Sequence, residues 1–254
     1  MPLEIAIDSP ASAHAAHLGG ADRVELCSNL PEGGTTPSIG LIHSVRKIFP
    51  RTLMVLIRPR GGDFLFDDDD LSTMLLDIQT AKNAGADGFV LGSLLPNGTV
   101  NRDLSARLID AASPLQITFH RAFDMTRNLP EALEALAQLG VHRILTSGAA
   151  PHAFAGIPTI AQLVTQAANR LSILPGGGIT ESQIPTIIHS TAVTEIHLSA
   201  RSTRPSQMLF KNLRCHMGDF TKDREYEIKS ADLSRIQAAR SALSHALSHH
   251  LTSP

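Results

Sequence analysis

Tryptophan is absent from this chain and Tyr226 is its one tyrosine. Recognition by stacking nucleic-acid bases on aromatic side chains therefore has little to work with. The 22 basic and 24 acidic residues leave a net charge of -2, so nothing in the charge balance attracts nucleic acid or an anionic membrane. Only two cysteines occur, Cys27 and Cys215. They cannot build a disulfide framework, which makes a reducing cytoplasm the expected location. No apolar run is long enough to span a bilayer, and the N-terminus lacks the basic start of a signal peptide. Lysines are scarce too: Lys47, Lys82, Lys211, Lys222 and Lys229 all fall in predicted helices or late in the chain. None stands at the end of a predicted strand, which argues against a Schiff-base aldolase.

What the chain does have is a repeated alternation. Strand patterns at residues 3–8, 23–27, 52–58, 87–91, 115–120, 142–146, 170–174 and 194–198 alternate with helix patterns at 10–18, 38–48, 67–84, 102–112, 129–139, 157–168, 180–189 and 232–250. The acidic run Asp67–Asp70 is read as a helix start, where carboxylates favour the positive end of the helix dipole. Eight such units predict an α/β fold, a single (β/α)8 TIM barrel over residues 1–254, with no interdomain linker. A long irregular segment, residues 202–231, separates strand eight from the last helix. It carries Met208, Leu209, Phe210, Met217, Phe220 and Tyr226, and is expected to pack on the barrel or against a second subunit.

The stretch Ile117 to Asp124, ITFHRAFD, alternates apolar and polar residues and leaves its strand on His120, Arg121 and Asp124. A barrel keeps its chemistry at the C-terminal ends of its strands. In each strand alternate residues face the helices, here Ile5 and Ile7, Val24 and Leu26, Val55 and Ile57, Ile117 and Phe119, Ile196 and Leu198. Their neighbours then point inward: Glu4, Asp8, Glu25, Cys27, Arg58, Thr118, His120, Glu195, His197 and Ser199. Buried ionisable groups must pair with each other, as Glu25 could with Arg58, or serve a site.

The segments GGADRVELCSNLPEGGTTPSIGLI, IRPRGGDF, TFHRAFD, ILTSG, PGGGI and HLSAR run from strand two to strand eight. Through them the sequence resembles the CutC copper-homeostasis family, whose members are cytoplasmic single-domain barrels. The resemblance implies a role in copper tolerance or trafficking, with copper bound by cysteines at the first two strands. Cys27 matches the second of these, while Ala6 stands where many relatives have cysteine. Copper is thus a cofactor by resemblance only, expected to bind weakly, because one isolated thiol makes a poor Cu(I) site.

The same residues support a second reading, an enzyme acting on a small phosphorylated or carboxylated metabolite. His120 would be its general acid/base, oriented by Glu25 or Asp124. Arg58 and Arg60 would stand at the mouth, since arginine suits bidentate recognition of carboxylate or phosphate. Gly176, Gly177 and Gly178 after strand seven, with Ser199 and Arg201 after strand eight, occupy the usual barrel position for binding an anion. His120, His197, Glu25 and Asp8 together would alternatively suit a divalent metal. A third reading is an oligomeric scaffold. The partners expected are a small anionic ligand and further copies of the chain, with neither nucleic acid nor membrane.

Overall fold

In a computed structural model of the chain, residues 1–215, 217 and 225–250 are described, the last two of these by backbone alone. Eight parallel strands form one sheet: β1 (Leu3–Ile7), β2 (Arg23–Leu26), β3 (Thr52–Leu56), β4 (Gly88–Leu91), β5 (Gln116–Phe119), β6 (Arg143–Thr146), β7 (Ser172–Pro175) and β8 (Ile196–Leu198). Their order, β7-β6-β5-β4-β3-β2-β1-β8, wraps the sheet into a barrel whose ladder is open only between β7 and β8. Eight helices surround it: α1 (Pro10–Leu18), α2 (Ile39–Ile48), α3 (Asp68–Asn83), α4 (Arg102–Ala112), α5 (Leu129–Gln138), α6 (Ile157–Ala167), α7 (Ile184–Thr191) and α8 (Leu233–His250). The starts of five helices are fixed locally. Ser9, Ser38, Asp67, Asn101 and Asn128 each accept a hydrogen bond from the backbone N–H three residues on, satisfying a donor the helix leaves open.

The alternation within the strands sorts the interior. All ten residues assigned to the helix side, from Ile5 to Leu198, lie in one continuous buried cluster between sheet and helices. Inside the barrel a much smaller apolar set, Cys27, Met54, Leu56 and Val90, is covered by Leu30. Barrel interiors are usually filled by branched apolar side chains in layers. Here much of that volume holds buried Glu4, Arg23, Glu25, Thr118, Glu195 and His197 instead.

Three features depart from the sequence expectation. Strand β5 runs into a short 3-10 turn, Arg121–Met125, which swings Arg121 and Asp124 across the mouth. Strand β7 begins at Ser172, because Arg170 turns outward to pair with Glu134, Nη1 to Oε2 at 2.6 Å. The segment after β8 is not irregular at its two ends: β9 (Arg201–Pro205) pairs antiparallel with β10 (Glu227–Ala231). It therefore returns to the mouth where it left, and α8 makes the run to the opposite end, where Arg240 meets Gly20 and Asp22. Of the apolar side chains this segment carries, Tyr226 is half-buried. Met208, Leu209, Phe210 and Met217 are 59% to 101% exposed, while Phe220 lies outside the described residues.

Candidate functional site

The strand ends converge on a cavity of about 380 Å³ at the C-terminal mouth, within the range of small-molecule sites. Glu25, Arg58, His120, Asp124, Gly177, Gly178 and Ser199 line it, joined by Phe64, Arg121 and His197. The remaining expected residues lie elsewhere. Arg60 pairs with Asp63 at 3.1 Å and Asp70 at 3.2 Å and sits 5.1 Å over the Phe66 ring, clamping a loop to α3. Arg201 pairs with Asp8 at 3.0 Å on the hairpin side. Gly176 is needed for packing, since a Cβ there would come within 2.6 Å of Leu145 and 3.0 Å of His197.

His120 leaves β5 with its ring between Phe64 and Phe119, at centroid distances of 4.9 and 5.9 Å. Burial, reinforced by the Arg58 cation, holds its pKa down at about 3. The imidazole is therefore neutral at physiological pH and cannot cycle a proton there as a general acid/base. Its Nδ1 accepts from the Ala122 N–H at 3.2 Å, which places the ring proton on Nε2. That Nε2 is buried, has no partner, and belongs to a cavity-lining side chain. His120 is thus a neutral hydrogen-bond donor.

Neither expected carboxylate orients it. Asp124 accepts from Thr146 Oγ1, from Ser147 N–H at 3.0 Å and from Ala149 N–H at 3.0 Å, and pairs with Arg121 Nε at 2.8 Å. With its oxygens so occupied, Asp124 anchors the β6 loop and Arg121 and has little capacity left for catalysis. Arg58 does not pair with Glu25 either. Its guanidinium donates to the carbonyls of Glu32, Gly34 and Gly62 at 2.8 to 2.9 Å and sits 5.0 Å over Phe64. It ties two loops together and keeps its positive charge beside the cavity.

Glu25 belongs instead to a line of buried charges running up the barrel. Arg143 Nε lies 3.2 Å from Glu195 Oε2, which Arg23 Nη2 also meets at 2.5 Å. Arg23 bonds to Glu4, Glu4 Oε1 meets His197 Nδ1 at 2.7 Å, and His197 Nε2 stands 3.6 Å from Glu25 Oε2. Burial alone would raise the Glu4 pKa, but Arg23 and His197 outweigh it and hold it at about 2. Burial works against charge on His197 too, yet Glu4 and Glu25 raise its pKa. For Glu25 burial wins: helped by the negative Glu4 and opposed by His197, by Arg23 and by a Cys27 hydrogen bond, it pushes the pKa up to about 7. Arg23 and Arg143 are not among the residues the sequence points to, whereas His197 is expected there as an inward-facing residue and a possible metal ligand. Arg23 shares the parity of Glu25 and Cys27 in β2, so the alternation that placed those two inside would have placed it as well.

The second feature of the cavity is a glycine corner. Gly177 and Gly178 adopt φ of +105° and +68°, conformations that favour glycine. A Cβ on Gly177 would lie 3.3 Å from the Arg121 guanidinium carbon, so the cation beside this turn is Arg121 and not Arg201. Arg121 Nη2 is held by Ser147 Oγ at 2.8 Å. Among the described residues nothing accepts a hydrogen bond from the Gly177 or Gly178 N–H.

The CutC family model matches residues 1–202. The chain belongs to the CutC family. It is 45% identical over 235 residues to the copper homeostasis protein cutC homolog of Homo sapiens, covering 92% of this chain and 86% of that protein. It is 48% identical over 218 residues to the family protein CutC of Vibrio cholerae, at 85% and 86% coverage. A crystal structure of CutC from Streptococcus agalactiae superposes with a TM-score of 0.75 at 32% identity, covering 78% of this chain and 98% of that one. Thiamine phosphate pyrophosphorylase from Pyrococcus furiosus shares the barrel alone, at 15% identity and a TM-score of 0.58.

The copper in these names raises the question of a CutC metal site here. Cys27 packs beneath Leu30, outside the cavity wall, with Sγ 3.9 Å from the Glu25 carbonyl. Burial first, and then the charges of Glu25, Asp8 and Glu4, push its thiol well above the usual range. Copper(I) binds the thiolate, so this environment opposes the ligand form. Among the described residues no three His, Cys, Asp or Glu side chains converge as a metal site, which also removes the arrangement of His120, His197, Glu25 and Asp8. Among the described residues, those at the barrel mouth do not fit a resident copper ion.

Proposed function

We propose that this CutC-family chain serves in copper homeostasis in the cytoplasm by binding a small anionic metabolite at its barrel mouth. The observation that carries this reading is the cavity's donor set. A buried His120 Nε2–H without a partner shares the cavity with the open N–H groups of Gly177 and Gly178 and the cations Arg58 and Arg121. Donors with no acceptor of their own and positive charge beside them recognise phosphate or carboxylate. Phosphate should therefore raise the thermal unfolding midpoint of the wild type, by mass action on the folded state. Gly177→Val should remove that increment, because its side chain would wedge between the turn and Arg121. Equal stabilisation of both proteins by phosphate would contradict the assignment.

Copper homeostasis on this reading does not run through a copper ion held by Cys27. In a competition titration against a Cu(I) chelator, the reduced protein should retain little metal, and Cys27→Ser should abolish whatever remains. Stoichiometric retention that survives Cys27→Ser would place the metal elsewhere and overturn this half of the reading. The cytoplasmic assignment rests on the scarcity of cysteine and on a buried Cys27 thiol that gains nothing from oxidising surroundings.

A further inference from the structure

Arg121 and the Gly177–Gly178 corner meet the anionic group of a ligand, and two further groups of the cavity remain to meet the rest of it. Glu25 is a carboxylate, and His120 offers a single neutral N–H. We propose that the bound metabolite is a phosphorylated α-hydroxy aldehyde or ketone, and that Glu25 removes a proton from the carbon next to its carbonyl while His120 Nε2–H receives the developing oxyanion. This rests on the anion-binding reading and adds a reaction class to it.

The assignment of the base follows by comparing the acidic groups of the cavity. Asp124 is engaged by Thr146, Ser147, Ala149 and Arg121, as described above. Glu32 lies on the exposed rim. Glu25 is buried, and its ionic neighbour His197 stands at 3.6 Å, beyond hydrogen-bond length. Its carboxylate is held in place without being locked to a strong donor. Burial places its pKa at about 7, where the ionised and protonated forms are both populated at neutral pH, as a group that takes and returns a proton requires. His197 touches Glu25 and Glu4, and acts as a positioning residue.

His120 meets the complementary requirement. An imidazolium would hand over its proton and bind the ground state strongly. A neutral imidazole, kept so by burial and by Arg58, polarises a carbonyl and strengthens its hydrogen bond as charge develops on oxygen. Neutral imidazole paired with a carboxylate base is a known combination for enolisation on a barrel.

The step balances without a co-reactant. The C–H bond breaks and its proton moves to a Glu25 oxygen. The C–H electron pair becomes the C=C bond of an enediol(ate), and the carbonyl π pair moves to the oxygen facing His120. After the Glu25 proton swaps with solvent, its return to the same carbon gives exchange or epimerisation; its return to the former carbonyl carbon, with the hydroxyl proton passing from one oxygen to the other, gives the aldose–ketose isomer. No atom is oxidised or reduced overall. Gly177, Gly178 and Arg121 hold the phosphate, and so fix which carbon lies beneath Glu25.

Exchange of carbon-bound hydrogen with solvent reads the step directly, even when isomerisation of a given probe is slow. Dihydroxyacetone phosphate and ribose 5-phosphate, with unphosphorylated dihydroxyacetone as control, are incubated with the protein in D2O and followed by proton NMR. Wild type should exchange one carbon-bound hydrogen of a phosphorylated probe and leave the control unchanged. Glu25→Gln, purified in the same way, should lower the rate by about 10²–10⁴-fold, and Glu25→Asp should retain part of it. His120→Gln should lower the rate by about 10²-fold. Glu25→Gln should keep phosphate-dependent thermal stabilisation, which shows that it is folded and still binds the anion, while His120→Gln, which replaces one donor of that set by an amide, should keep part of it. Phosphate stabilisation without exchange above the Glu25→Gln level would overturn the proton-transfer inference and leave the anion site standing. Failure of phosphate to stabilise the wild type would overturn the anion reading itself.

Discussion

Glu4→Ala should cost the folded barrel about 3–5 kcal/mol, the penalty for stranding buried charges that have lost their partner. Glu4 is 1% exposed and holds both Arg23 and His197. Its removal leaves two cations facing each other across the barrel interior with only Glu195 and Glu25 to offset them. Urea unfolding of wild type and variant measures the loss. The natural control is Glu134→Ala, which breaks a surface pair with Arg170 and should shift the midpoint far less. Comparable shifts for the two would mean that the charge line is not what holds the interior. The pH dependence has a definite sign. The folded-state pKa of Glu4 is depressed, from 4.5 to about 2. Its contribution is therefore fully present above about pH 4.5 and disappears as the pH falls through about 2.

The opposite behaviour is expected one step further up the barrel. Glu25→Gln should stabilise the protein at pH 8, on the order of 1–3 kcal/mol, and change it little at pH 4. The folded-state pKa of Glu25 is raised, from 4.5 to about 7. Between those values the folded protein keeps a proton that the unfolded chain has released, so stability falls as the pH rises through that window and stays low above it. Glutamine fills the same volume without a charge to desolvate, and His197 keeps its 2.7 Å contact with Glu4. Thermal unfolding at the two pH values is the measurement. A loss of stability at pH 8 would mean that Glu25 is a net contributor to the fold, and would remove the stability cost that marks it as functional.

Glu4 and Glu25 stand two residues apart in adjoining strands' registers, on the same inward parity, and that much is written in the alternation of β1 and β2. The helix starts were equally legible, since a cap such as Asp67 acts within three residues of itself. The limits appear where the chain leaves the sheet. Strand β3 stops at Leu56, so the parity that would have put Arg58 and Arg60 on the same side no longer applies, and Arg60 turns to Asp70 on α3. Arg201 starts a new strand that bends toward Asp8. The general barrel position after strand eight points Arg201 to the cavity, but the hairpin that starts there carries it to the Asp8 side. His120 was placed correctly in space and misread in charge. Its protonation depends on Phe64 and Arg58, which arrive from another part of the chain, and no local pattern around residue 120 contains them. Asp124 shows the same gap, because Thr146, Ser147 and Ala149 come from the end of β6 and the loop after it.

The open ladder between β7 and β8 has a mechanical meaning. Everywhere else around the barrel, moving one strand past the next requires breaking a row of backbone hydrogen bonds. At this one junction, among the described residues, no such row exists. The fit there is made by side chains: Gly176 on one side, with no room for a methyl group, and His197 on the other. Strand β8 is anchored by β1 on its far side and by the hold of Glu4 on His197. The Gly177–Gly178 turn follows β7, and His197, the ionic neighbour of Glu25, rides on β8. On the proposed function, a ligand spanning the cavity would bridge this junction and join from above what the backbone leaves unjoined.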